Sequence, residues 1–157
     1  MFPSYTTPSL VTPSANMTSF CYYTDKDNTS YVCQSEGLLD LQAINIPTNL
    51  KYLKINASGI RSIPGNVFEN NTMAALIINN NMEMRRISQK SFKGITGLKY
   101  LYMRGNEMIK WPRIEDSFFY IFRQASELRH LVLESNNITF KGKQVLWLNA
   151  FIIVASL

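Results

Sequence analysis

Four segments of the chain share one apolar skeleton: Leu50-Lys51-Tyr52-Leu53-Lys54-Ile55, Met73-Ala74-Ala75-Leu76-Ile77-Ile78, Leu98-Lys99-Tyr100-Leu101-Tyr102-Met103 and Leu128-Arg129-His130-Leu131-Val132-Leu133. Each reads aliphatic, x, x, aliphatic, x, aliphatic, and the starts lie 23, 25 and 30 residues apart. A polar turn residue follows in register each time: Ser58, Asn81, Asn106 and Asn136. A unit this short cannot bury its own apolar side, so the repeat commits the chain to stacking successive units over a continuous core.

The remainder of each unit agrees. The first supplies Ile60, Ile63, Pro64 and Phe68, and the second Met84, Ile87 and Phe92, with one extra residue in its turn Asn79-Asn80-Asn81-Met82-Glu83. The third supplies Met108, Trp111, Pro112 and Phe122, and from each Phe to the next start is 5, 6 and 6 residues. With so many positions agreeing together, the chain resembles the leucine-rich-repeat family across about residues 38–140. That resemblance implies an α/β repeat, a short leucine-rich-repeat solenoid with parallel strands on the concave face and variable segments on the outer side. The recurring Asn suits a turn in which its amide bonds backbone groups of its own and the adjacent coil, leaving no unpaired polar atom at a buried bend. Ser58 can do this only partly.

Around the repeats the chain divides into a Ser/Thr/Pro-rich tail at 1–19, a cysteine-bearing cap at 20–49, about four repeats at 50–140 and an apolar segment at 141–157. The tail has X-Pro steps at Pro3, Pro8 and Pro13 that favour extended conformers. It shows neither the basic start nor the apolar stretch of a secretory signal. The run from Val145 to Leu157 is apolar for 13 residues, short of the roughly 20 that a spanning helix needs. It reads as a cap on the open core edge, as a membrane helix cut short, or as a gene-model artefact. In the long third unit, Glu115-Asp116-Ser117 ahead of Phe118, Ile121, Phe122 and Ala125 predicts a short helix on the convex side.

The chain has 157 residues, 46% of them hydrophobic, and a formal net charge of +5, which suits one modest domain with a core. Its basic residues are scattered, Arg85-Arg86 being the adjacent pair. A solvated basic surface is therefore expected, and no nucleic-acid partner. His130 is the sole histidine and no nucleophile motif accompanies it, so no catalytic residues are assigned. Two Cys with one distant His cannot supply a zinc set, and neither metal nor cofactor is expected.

Cys21 and Cys33 flank a polar segment directly ahead of the first repeat. Extracellular members of the resembled family seal the first repeat with a cysteine cap, which implies one Cys21–Cys33 bridge here, in a reduced two-Cys version. Such a bridge would contribute about 3 kcal/mol by the loop-entropy model; two free thiols in a cytosolic protein are the alternative. Five sequons, at Asn16, Asn28, Asn56, Asn70 and Asn137, point to the same extracellular or cell-surface setting.

In this family ligands meet the concave strand surface, which consists of the letters between the buried aliphatics. The ligand-binding candidates are Tyr52, Lys54, Ile77, Tyr100, Tyr102, Arg104, His130, Val132 and Glu134. Tyrosines supply amphipathic contact area and the charged residues a polar rim; a glycan on Asn56 would compete for the same face. The expectation is a non-catalytic, extracellular recognition module for a protein ligand or co-receptor. It would be a secreted binder or part of a receptor ectodomain, resembling Toll-like receptor ectodomains and invertebrate leucine-rich-repeat proteins of immunity and cell adhesion. A membrane association could come only through a missing or truncated C-terminal segment. An intracellular scaffold and a glycan-held matrix component are the other readings.

Overall fold

The computed structural model describes residues 19–35, 40–56, 59–106, 118–136 and 152–154. Each aliphatic skeleton becomes a short strand, because alternate side chains of a strand point to opposite faces and the skeleton places Leu and Ile on one of them. β3 (Tyr52–Asn56) and β5 (Ala75–Asn79) alternate half-buried and buried along their whole length. β8 (His130–Val132) does so over three residues, and β7 (Tyr100–Tyr102) runs exposed, buried, half-buried. These strands pair in parallel with no register slip, Leu53 beside Leu76, Leu76 beside Leu101 and Leu101 beside Leu131.

The sheet is longer than the four units. β1 (Ser19–Tyr23) and β2 (Ser30–Ser35) form an antiparallel hairpin, and β2 lies parallel against β3 with Cys33 beside Ile55. At the other end β9 (Ile152–Val154) pairs in parallel with β8. Among the described residues the result is a seven-stranded sheet in the order β1-β2-β3-β5-β7-β8-β9. β9 has no counterpart in the repeat read from the sequence, although Ile153 sits beside Leu131 as a fifth unit would place it. A second, two-stranded sheet joins β4 (Ser62–Ile63) to β6 (Arg86–Ile87).

The core lies between the two sheets. Leu50, Leu53, Ile55, Leu76, Ile78, Leu98, Leu101, Met103, Leu128, Leu131 and Leu133 enter it from the skeleton, and Ile60, Ile63, Met84 and Ile87 from the letters after each turn. Phe68, Phe92 and Phe122 stack in file, centroids 6.1 and 5.8 Å apart. The regular spacing of Phe ahead of each unit is the sequence trace of this file. Met108, Trp111 and Pro112 lie outside the described residues.

The turn Asn residues are buried and bonded as expected. Asn81 Nδ2 donates to Asn79 O at 2.9 Å and Asn106 Nδ2 to Ile78 O at 2.7 Å, while Asn136 Nδ2 donates to Met103 O. Ser58 lies outside the described residues. Ser91 adds a further tie between coils, its buried hydroxyl donating to Ile63 O at 2.8 Å.

Strand and turn dominate where an α/β alternation was expected. Among the described residues the helix is α1 (Phe118–Arg123), in the third unit. The physical reason is length. The 23- and 25-residue units leave few residues for the return path, and Asn66 and Asn70 turn it at positive φ of 59° and 64°. The third unit, with more chain to place, accommodates a helix that delivers Phe122 to the Phe file. Its proposed start at Glu115-Asp116-Ser117 lies outside the described residues, as do the tail up to residue 18 and all of 141–157 except β9. Among the described residues no helix is long and apolar enough to cross a membrane.

Candidate protein-binding face

The face of the large sheet away from the core is built by the letters between the aliphatics, and the strand register sorts them into columns. Tyr52, Ala75, Tyr100 and His130 are successive neighbours in the first. Lys54, Ile77, Tyr102 and Val132 follow in the second. Asn56 and Asn79 pair in the third, and Arg104 and Glu134 continue it just past β7 and β8. All nine candidate ligand-binding residues are thus on one face.

Within the first column Tyr100 and His130 stack, ring centroids 4.8 Å apart and planes inclined by 7°. Tyr100 is nonetheless among the exposed large side chains. Tyr52 sits deeper, and burial pushes its hydroxyl pKa above the ordinary 10.0. Arg104 is held from three directions. Its backbone N donates to Asn79 Oδ1 at 2.9 Å, its carbonyl accepts from Asn80 N at 2.9 Å, and its guanidinium Nε lies 3.4 Å from Glu134 Oε2. The ion pair is solvent-exposed on the Arg side and contributes little stability; its effect is to orient the guanidinium over the strand ends.

The face also extends onto the cap. Ser30, Val32 and Gln34 lie beside Tyr52, Lys54 and Asn56, and Tyr22 of β1 lies beside Val32 and is exposed. None of these was among the candidates from sequence. The usable signal was the alternation in Ser30-Tyr31-Val32-Cys33-Gln34, in which Tyr31 and Cys33 belong to the core side. Tyr31 is partly desolvated there, which raises its pKa above 10.0, with a smaller push from Tyr23.

Cys21 and Cys33 stand directly opposite each other on β1 and β2 and form a disulfide. Cys33 is buried against the core, so the bridge pins the hairpin over the first unit. The hairpin turn is organised by Asp25, whose carboxylate accepts from Thr29 Oγ1 at 2.6 Å and from the backbone N of Thr29 and Ser30, both at 2.9 Å.

The sequons divide. Asn28 and Asn70 are exposed, at positive φ of 54° and 64°. Asn56 is half-buried on the candidate face and accepts from Asn80 Nδ2 at 3.2 Å. Asn16 and Asn137 lie outside the described residues. Among the described residues no group of three or more His, Cys, Asp or Glu could hold a metal ion.

Residues 48–108 match a family model described as leucine rich repeat. No curated protein matches the chain. The matched span runs from the approach to β3 through the turn Asn106, and so includes the first two complete units and the strand of the third. Leucine-rich repeats are in general protein–protein interaction modules and typically non-catalytic.

Proposed function

We propose that the chain is an extracellular protein-recognition module, a secreted binder or a piece of a receptor ectodomain, that grips a protein ligand on the solvent face of its parallel sheet. The observation that carries this reading is the convergence of Tyr52, Tyr100, Tyr102, Ile77 and Val132, from four separate units, into two adjacent columns beside Arg104 and Glu134. Tyrosine and arginine are enriched among residues that dominate binding energy, and apolar side chains at solvent-facing strand positions have no role in the core. The Cys21–Cys33 disulfide supports an oxidising compartment over an intracellular scaffold. The hairpin and β9 support reading 20–49 and part of 141–157 as covers for the two open ends of the array, which an isolated stack requires.

The test is a screen of secreted and cell-surface proteins against the full chain and its Tyr100→Ala/Tyr102→Ala/Arg104→Ala variant. Each partner found should lose affinity by at least about tenfold, close to 1.4 kcal/mol. If every partner binds the variant as it binds the parent, the face assignment is wrong. Thiol titration of denatured protein from its native source should find no free thiol; two would remove the extracellular setting.

A further inference from the structure

The second letter of each unit, one residue ahead of the aromatic column, is Lys51, Ala74, Lys99 and Arg129. Scattered through the sequence, these residues are lined up by the backbone. Ala74 N donates to Lys51 O at 2.9 Å, Lys99 N to Ala74 O at 3.0 Å and Arg129 N to Lys99 O at 3.0 Å. Lys51, Lys99 and Arg129 are all exposed, and among the described residues none of them has an ion-pair partner. The sheet spacing of about 4.8 Å places the backbones of Lys51 and Lys99 roughly 10 Å apart and those of Lys99 and Arg129 roughly 5 Å apart. On the turns that adjoin this rim, the carboxylates of Glu127 and Asp25 are engaged with backbone, while Asp27 is exposed. Glu127 accepts from Gly97 N at 2.9 Å, and Asp25 accepts from Thr29 and Ser30.

Each cation precedes a ring of the first column: Lys51 before Tyr52, Lys99 before Tyr100, Arg129 before His130. One column further in are Lys54, Ile77, Tyr102 and Val132. The rim is therefore cationic and the floor beside it aromatic, then apolar beyond Lys54. Lys99 and Arg129 stand within one screening length, about 8 Å at physiological salt, and add their fields, while Lys51 stands just beyond it and adds in part.

Resting on the reading of this face as a protein-binding surface, we infer that its partner presents an acidic, extended segment. That segment lies across the strands, with carboxylates over Lys51, Lys99 and Arg129 and apolar side chains over Tyr100, Tyr102, Ile77 and Val132. Charge complementarity names the carboxylates and the second column names the apolar side chains. A nucleic acid or sulfated glycan answers to the cations alone. It leaves Ile77 and Val132 without a counterpart, and the mutual stack of Tyr100 and His130 takes one face of each ring, which narrows the platform for a base.

The probe is a short fluorescent peptide of alternating Glu and Tyr, with its Gln-Tyr counterpart, a heparin oligosaccharide and an oligothymidylate as comparators. Binding to the full chain is followed by anisotropy. The Glu-Tyr peptide should bind at least about tenfold tighter than the Gln-Tyr peptide, and Lys51→Glu/Lys99→Glu/Arg129→Glu should weaken it by at least about tenfold. Arg61→Glu/Lys90→Glu/Lys93→Glu makes the same net charge change away from the face and should leave affinity within about twofold. The neutral set Lys51→Gln/Lys99→Gln/Arg129→Gln repeats the test if the reversed set folds poorly. Absence of saturable binding, equal losses from the two reversed sets, or tighter binding of heparin or oligothymidylate would each overturn the inference. Loss on Tyr100→Ala/Tyr102→Ala without loss on rim reversal discards the acidic partner and leaves the binding face intact. Loss on rim reversal without loss on Tyr100→Ala/Tyr102→Ala discards both.

Discussion

Asn136 Oδ1 accepts from both the backbone N of Asn106, at 2.9 Å, and its side-chain amide, at 3.2 Å. Asn106 Oδ1 in turn serves the backbone N and side-chain amide of Asn81, both at 3.1 Å. The amide ladder thus ties three coils together inside a core from which water is excluded, Asn106 being 0% exposed. Asn106→Ala strips Asn81 of an acceptor and Ile78 O of a donor at once. Unpaired buried groups cost about 1–3 kcal/mol each, so the expected loss is about 3 kcal/mol. Urea unfolding checks it; a loss below about 0.5 kcal/mol would mean that the ladder contributes only geometry.

Phe92 touches Phe68 on one side and Phe122 on the other and is fully buried. Phe92→Ala should cost about 3–5 kcal/mol, because a cavity opens between neighbours that cannot both collapse into it. Phe92→Leu keeps most of the volume and should cost clearly less. Denaturation midpoints of the two variants check the order, and equal losses would show that ring stacking rather than filled volume holds the file together.

How far the structure could be read from sequence depends on whether the deciding contacts are local. Leu53, Leu76, Leu101 and Leu131 announce themselves because each sits in a skeleton a few residues long, and the solvent-face columns follow from strand alternation alone. Asn81, Asn106 and Asn136 were equally legible, since a turn amide recurring in register has few other uses. β9 was not: Ile153 pairs with Leu131 inside an evenly apolar run where nothing marks a register. Pairing of the cap hairpin with β3 was hidden for a related reason, because Cys33 beside Ile55 is a contact between a cap and a repeat. The cationic rim escaped notice because Lys51, Lys99 and Arg129 are neighbours only after Ala74 and the strand register bring them together.

Gly105 stands at a φ of 65° just past β7, donating its N to Glu134 O at 3.0 Å. A Cβ there would fall 2.7 Å from Asn80 Oδ1, whose amide also donates to Asn56 Oδ1 at 3.2 Å. Gly105→Ala therefore combines left-handed strain with a clash and should destabilise by about 1–3 kcal/mol. The side-chain amide resonances of Asn80 and Asn56 should shift together. If stability and both resonances are unchanged, the turn does not require glycine.

Asp25 organises the cap hairpin from outside the core. The Thr29 hydroxyl, first, and the Ser30 backbone N, next, hold its carboxyl pKa below the ordinary 3.8. Hydrogen bonds of this kind favour the charged form, so the folded hairpin binds a proton less readily than the unfolded chain. Its stabilisation is therefore complete above pH 3.8 and is lost as pH falls below 3.8 through the folded pKa. The Cys21–Cys33 bridge keeps the strands together meanwhile, so the change should be local. Amide exchange and proton shifts of Thr29 and Ser30 should titrate with a midpoint below 3.8, and Asp25→Asn should abolish that transition while leaving the disulfide formed. A midpoint at or above 3.8 would show that the three bonds to Asp25 do not persist in solution.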